Sequence, residues 1–128
     1  MYVQLYTPAD LKYLSEIRGW VGSTMSHSGT DDKSVRSMEL AVSEVTANAI
    51  EHGSPLGKEN QVTIEIDDTD QYTSVTVSDQ GGGLSEELTD ALDDAERGRG
   101  HSITQVICDE VTYRPTEAGL SVTMVINK

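Results

Sequence analysis

Between residues 49 and 62 the apolar residues of this chain change their period. Val35, Met38, Val42, Val45 and Ala49 recur every three or four positions, which lays them along one stripe of a helix. Val62, Ile64 and Ile66 recur every second position, with Thr63 and Glu65 between them, the alternation of a strand buried on one face. A long helix with one apolar stripe and a strand with one apolar face each need a covering layer, and each can cover the other.

The remaining segments fit that arrangement. Residues 1–6, rich in tyrosine and valine, read as a strand at a sheet edge. Thr7 and Pro8 read as a helix start, with threonine as the cap, proline in the first turn and Asp10 near the positive end. Leu11, Leu14, Val21 and Met25 then supply an apolar face, which Gly19 and Gly22 weaken in the middle. Residues 26–30 form a loop. Thr30 or Asp31 caps the long helix, and Gly53 with Pro55 ends it. Residues 72–78, with Val75 and Val77 inward, pair with the 62–66 strand as an antiparallel hairpin across a polar turn at 67–71. Leu84, Leu88, Ala91, Leu92 and Ala95 share one side of a short helix capped by Ser85. Ile103, Val106 and Ile107 mark another helix, beginning near Arg99. Residues 110–114 and the alternating Leu120, Val122, Met124 and Ile126 make two last strands. This order predicts an α+β two-layer sandwich, with helices on one face of a mixed, mostly antiparallel sheet.

Composition narrows the function classes. A length of 128 residues suits one domain over 1–128 with a real core, and the 36% apolar content is gathered in periodic runs, which argues against disorder. No apolar run approaches membrane-spanning length and no basic-then-apolar leader is present, so the expectation is a cytoplasmic protein with no membrane partner. Cys108 is the single cysteine, which excludes an internal disulfide and a multi-cysteine metal site. His27, His52, His101 and Cys108 lack zinc spacing; by helical angle His52 reads as a packed helix-end residue. The formal charge of −13 disfavours direct nucleic-acid binding. A phosphate ligand stays compatible, because backbone N–H groups, an arginine and a metal can hold it locally. With four lysines in the chain, a salty cytoplasm explains the acidity equally well.

Three segments have chemistry suited to a nucleotide. Glu44 and Asn48 stand four residues apart, one above the other on the shoulder of the apolar stripe. A carboxylate there can receive a hydroxyl proton, and a neutral amide can ligate a hard cation beside a triphosphate without adding repulsion. Asp79 ends a strand and precedes Gly81, Gly82 and Gly83, where the backbone can approach a ligand closely and the carboxylate can accept a bond from an exocyclic amine. Gly98, Arg99, Gly100, His101 and Ser102 open a helix whose N–H groups form an anion site, with Arg97 and Arg99 available to a terminal phosphate. Each has a plain reading when taken alone: a hydrogen-bonded Asn beside an exposed Glu, a glycine turn, a glycine hinge.

In combination and in this order, Glu44-x-x-x-Asn48-Ala-Ile-x-His52, Asp79-x-Gly81-x-Gly83 and Gly98-x-Gly100 resemble the three ATP-binding boxes of the GHKL ATPase superfamily, the Bergerat fold. The small size and the Val-Ser-Glu-x-x-x-Asn-Ala-Ile-x-His helix resemble the anti-sigma factor serine kinases within it. That resemblance implies an ATP- and Mg²⁺-dependent protein serine kinase. Asn48 would ligate Mg²⁺, and Glu44 would be the general base. Asp79 would hold the adenine amino group, with Gly81 and Gly83 shaping that wall. Gly98 and Gly100, with the amides of His101 and Ser102 and one of Arg97 and Arg99, would hold the phosphates, and residues 84–96 would form a lid. It also implies a homodimer, a STAS-type anti-anti-sigma partner as phosphate acceptor, and a sequestered sigma factor. The lid is short and has no Thr-Lys pair, so a regulator of the same fold that binds nucleotide and sequesters or stimulates a partner without phosphorylating it is the alternative.

Overall fold

A computed structural model of the chain describes residues 1–81 and 103–128. Strands β1 (Tyr2–Pro8), β2 (Gln61–Asp68), β3 (Tyr72–Ser78), β4 (Glu110–Pro115) and β5 (Leu120–Asn127) form one sheet in the order β1-β2-β3-β5-β4. Every described pairing is antiparallel. Helices α1 (Leu14–His27) and α2 (Asp32–His52) pack on each other, and α2 lies across β2, β3 and β5. A short α3 (Ile103–Ile107) also packs against α2. This is the expected α+β sandwich.

The register explains why one face is apolar. Val3, Ile66, Val75, Met124 and Val111 stand side by side across all five strands, and Leu5, Ile64, Val77, Val122 and Tyr113 form the next row. Both rows face the helices, where Met25, Met38, Val42 and Ile17 meet them, all at most 1% exposed. Each such side chain contributes roughly 1.5–3 kcal/mol of burial. The rows between them are polar and turn to the opposite face. There Thr76 and Thr123 share a hydrogen bond of 2.8 Å, and Ser78 and Ser121 one of 2.7 Å.

Several local expectations are corrected. The first strand runs through Pro8, which pairs with Gln61, so Thr7 does not cap a helix. Proline is tolerated there because it ends an edge strand. Asp10 takes the capping role, accepting from the Lys12 N–H at 3.0 Å ahead of a 3-10 turn at Leu11–Tyr13. Leu11 is exposed, and Ile17 fills the core position beside Val21 and Met25. Gly22 lets Glu39 of α2 approach, since a β-carbon there would lie 2.7 Å from the Glu39 Cδ. Asp31, not Thr30, caps α2, accepting from the Ser34 N–H at 3.1 Å. Val106 is 78% exposed and lies outside the core. The side chain of His52 is 77% exposed, so it is not packed.

Asp68 differs most from its expectation. The sequence places it in a polar turn, yet it ends β2 with its side chain 2% exposed. Lys128 Nζ approaches Oδ1 at 2.8 Å, Thr73 Oγ1 donates to Oδ1 at 2.8 Å, and Ser28 Oγ donates to Oδ2. Burial pushes its carboxyl up, but the bonds from Lys128, Ser28 and Thr73 outweigh that and hold it below the ordinary carboxylate range. The carboxylate thereby joins the loop after α1, the β2–β3 hairpin and the end of β5.

Candidate functional site

The site begins with α2, which is held by its apolar stripe: Val35, Met38, Val42, Val45 and Ala49 are all buried. Asn48 is exposed and Glu44 half-buried, one turn apart on the flank of that stripe. The helix ends firmly. Ala49 O accepts from the Gly53 N–H at 3.0 Å and from Ser54 Oγ at 2.8 Å.

Gly53 has φ −104°, which any residue adopts. It is glycine because a β-carbon would collide with Asp79 Oδ2. The C-terminal end of α2 therefore rests directly on Asp79. Gly119, in the turn between β4 and β5, abuts it from another side; a β-carbon there would meet Asp79 Oδ1 and lie 2.5 Å from the Gly81 N.

Asp79 continues the β3–β5 ladder by one pair, its N–H donating to Leu120 O at 3.0 Å. The N–H groups of Gly81 and Leu120 both donate to Asp79 Oδ1, each at 3.0 Å. Oδ1 is thus saturated and the carboxylate plane fixed. Among the described residues no hydrogen bond reaches Oδ2, so one acceptor oxygen is left for an outside donor. Burial raises the carboxyl above its ordinary value, and the bonds from Leu120 and Gly81 offset part of that rise. Gln80 turns away from this oxygen. Its Oε1 accepts from the Gln61 N–H at 2.6 Å and from Asn60 Nδ2 at 3.4 Å, tying the start of β2.

One turn before Asn48, Thr104 Oγ1 donates to Glu44 Oε2 at 3.5 Å. Burial raises the Tyr113 phenol above its usual value; the bond from Gln105 Nε2 at 3.4 Å lowers it, and the negative charge of Glu44 raises it further. Of the residues expected at the site, Glu44, Asn48, Asp79 and Gly81 are thus gathered around α2 and its C-terminal end. Gly83, Arg97, Gly98, Arg99, Gly100, His101 and Ser102, with the helix expected at 84–95, lie outside the described residues. Sequence reasoning missed Gly53, Gly119 and Leu120 as parts of the Asp79 setting. Gly53 stood next to His52 in the motif and could have been found; Gly119 sits in a turn and carried no such signal.

The sequence profile of the histidine kinase-like ATPase domain matches residues 7–126. The chain belongs to that family. Within it, the chain is 26% identical over 136 residues to a serine-protein kinase RsbW from Staphylococcus epidermidis, covering 97% of this chain and 85% of that protein. It is 27% identical over 136 residues to the RsbW of Bacillus licheniformis, covering 96% and 83%. Among solved structures, the crystal structure of the RsbU and RsbW domains of a Mycobacterium tuberculosis protein superposes with a TM-score of 0.75 at 16% identity. That match covers 98% of this chain and 31% of the crystallised one, so this chain spans about a third of it. A blue-light activated histidine kinase from Erythrobacter litoralis gives 0.56 at 20% identity, covering 88% and 41%. Both superpositions show the fold. ATP use comes with the family, and no helix among the described residues is long and apolar enough to cross a membrane.

Proposed function

We propose that this chain is an ATP-dependent protein serine kinase and anti-sigma factor. It acts as a single cytoplasmic domain and a homodimer, phosphorylates a STAS-type anti-anti-sigma protein, and sequesters a sigma factor in a stress-response circuit. It has no part in direct nucleic-acid binding. The observation that carries the reading is the setting of Asp79: a carboxylate clamped through one oxygen, with the other open, at the end of the helix that bears Asn48 and Glu44. Asn48 and Glu44 precede Gly53 by five and nine residues, roughly 7 and 13 Å along the axis at 1.5 Å per residue. That sequence of groups along α2 suits a nucleotide whose base meets Asp79 and whose phosphates extend toward Asn48 and Glu44.

The chemistry follows from the residue types. Asp79 Oδ2 accepts from the exocyclic amine of adenine, which guanine lacks at that position. Gly81 and Gly83 keep the wall beside the base free of side chains. The Asn48 amide oxygen is a neutral ligand for Mg²⁺, which supplies charge neutralisation on the phosphates when bound. Gly98, Gly100, His101 and Ser102 offer backbone N–H groups, and Arg97 or Arg99 a guanidinium, to the phosphate end. Glu44 receives the proton of the attacking serine hydroxyl.

The names of the relatives support kinase activity. The second reading, a nucleotide-binding regulator that sequesters or stimulates its partner without phosphorylating it, rests on the short 84–96 segment without a Thr-Lys pair. The two are separated by transfer of labelled γ-phosphate to a STAS partner. We expect transfer from the wild type and, in Glu44→Ala, a loss of at least about a hundredfold with ATP affinity retained. ATP binding without transfer would favour the regulator, and absence of ATP binding with Mg²⁺ would sink both.

A further inference from the structure

We infer that Thr104 is a positioning residue for Glu44, linking the helix that follows the second glycine segment to the proposed base. This inference rests on Glu44 being that base. Thr104 is 0% exposed, whereas Val106, two residues on, is 78% exposed. Packing alone would choose the reverse, burying the valine and leaving the hydroxyl in water. The inward hydroxyl reaches a carboxylate across the α2–α3 contact: Thr104 Oγ1 points as a donor at Glu44 Oε2, 3.5 Å away.

Glu44 is half-buried and, four residues ahead of the exposed Asn48, needs its carboxylate turned toward the phosphate side of α2. A donor on α3 fixes one oxygen and leaves the second to receive a proton. Tyr113 on β4 feels the charge of Glu44. Burial and the charge of Glu44 keep its phenol protonated, and its hydroxyl accepts from Gln105, the residue after Thr104. Side chains of α3 thus meet both α2 and β4.

The test compares Thr104→Val, which keeps the shape without the hydroxyl, with Thr104→Ser, which keeps the hydroxyl. ADP release from MgATP during phosphate transfer to a STAS partner, equilibrium ATP binding and thermal melting are measured for both, with Glu44→Ala as reference. The expected result is a fall in kcat of about tenfold in Thr104→Val, with ATP affinity and melting unchanged, and recovery to within about twofold in Thr104→Ser. Equal kcat in Thr104→Val and wild type, with Glu44→Ala inactive, overturns the inference and leaves the base assignment standing. Loss of ATP affinity or melting temperature in parallel with kcat also overturns it, since Thr104 would then be a packing residue. Full activity in Glu44→Ala overturns the base assignment and the inference with it, as does absence of turnover in the wild type.

Discussion

Asp79 combines two demands that oppose each other. With Oδ1 taken by two N–H donors, the contact proposed with an amine needs Oδ2 free of a proton, yet burial raises the carboxyl above its ordinary value. A raised acid stabilises the fold fully below its unfolded value, and that contribution is lost as pH rises through the folded value. Above the unfolded value the carboxyl therefore weighs against stability. Asp79→Asn removes the charge, and its Oδ1 can still accept from Gly81 and Leu120. Its amide nitrogen, however, presents a donor where the ligand also presents one. The variant should melt at or above the wild-type temperature near pH 7 while ATP affinity falls about ten- to hundredfold, the value of one hydrogen bond to a charged group. Calorimetry with and without nucleotide reads both effects. Cys108, by contrast, should be inert to thiol reagents at neutral pH, because burial and the neighbouring Asp109 push it up to about 11.

At the scale of elements, the site depends on how the β4–β5 hairpin meets the end of α2. Gly119 N donates to Thr116 Oγ1 at 2.9 Å and Thr116 N to Gly119 O at 2.7 Å, so the turn is closed on itself before it touches Asp79. Gly119→Ala inserts a methyl against Asp79 and the Gly81 N, with backbone on two sides and no long side chain to swing away. It should destabilise by about 2 kcal/mol and lower ATP affinity, with urea melts and nucleotide titration as the measurements. The α2 stripe and the alternation of Val62, Ile64 and Ile66 were legible in the sequence because each signal repeats within one element. The Thr7-Pro8 cap was misread because the pairing of Pro8 with Gln61, fifty-three residues away in the chain, outweighs local capping preference. Gly119 was invisible for the same reason: its neighbour Asp79 is brought in by the β3–β5 pairing.

For the whole molecule, Asp68 is the joint that distant segments share. Its Ser28 contact spans 40 residues and its Lys128 partner lies beyond β5, so no local pattern could have separated it from an ordinary turn aspartate. Its lowered carboxyl contributes stability that is full above the unfolded value of 3.8 and drains away as pH falls through the folded value below it. Asp68→Asn should destabilise by about 2 kcal/mol at pH 7, Lys128 remaining partly solvated, and the deficit should shrink in melts taken toward pH 3. A constant deficit across that range would show that its effect is packing alone. The core and the Asp79 setting were otherwise readable to the extent that their residues repeat or cluster; what escaped was whatever one residue does for another across the sheet.

The bond from the Leu120 N–H to Asp79 Oδ1 also sets a clock. During synthesis the Glu44, Asn48 and Asp79 segments leave the ribosome well before residue 120 does. Until the β4–β5 hairpin emerges, Asp79 lacks one of the two donors that orient it, and the growing chain has the residues proposed to meet a nucleotide without the setting that holds Asp79. On the proposed reading of Asp79, nucleotide should engage only after residue 120 is in place, and not during the early stages of folding.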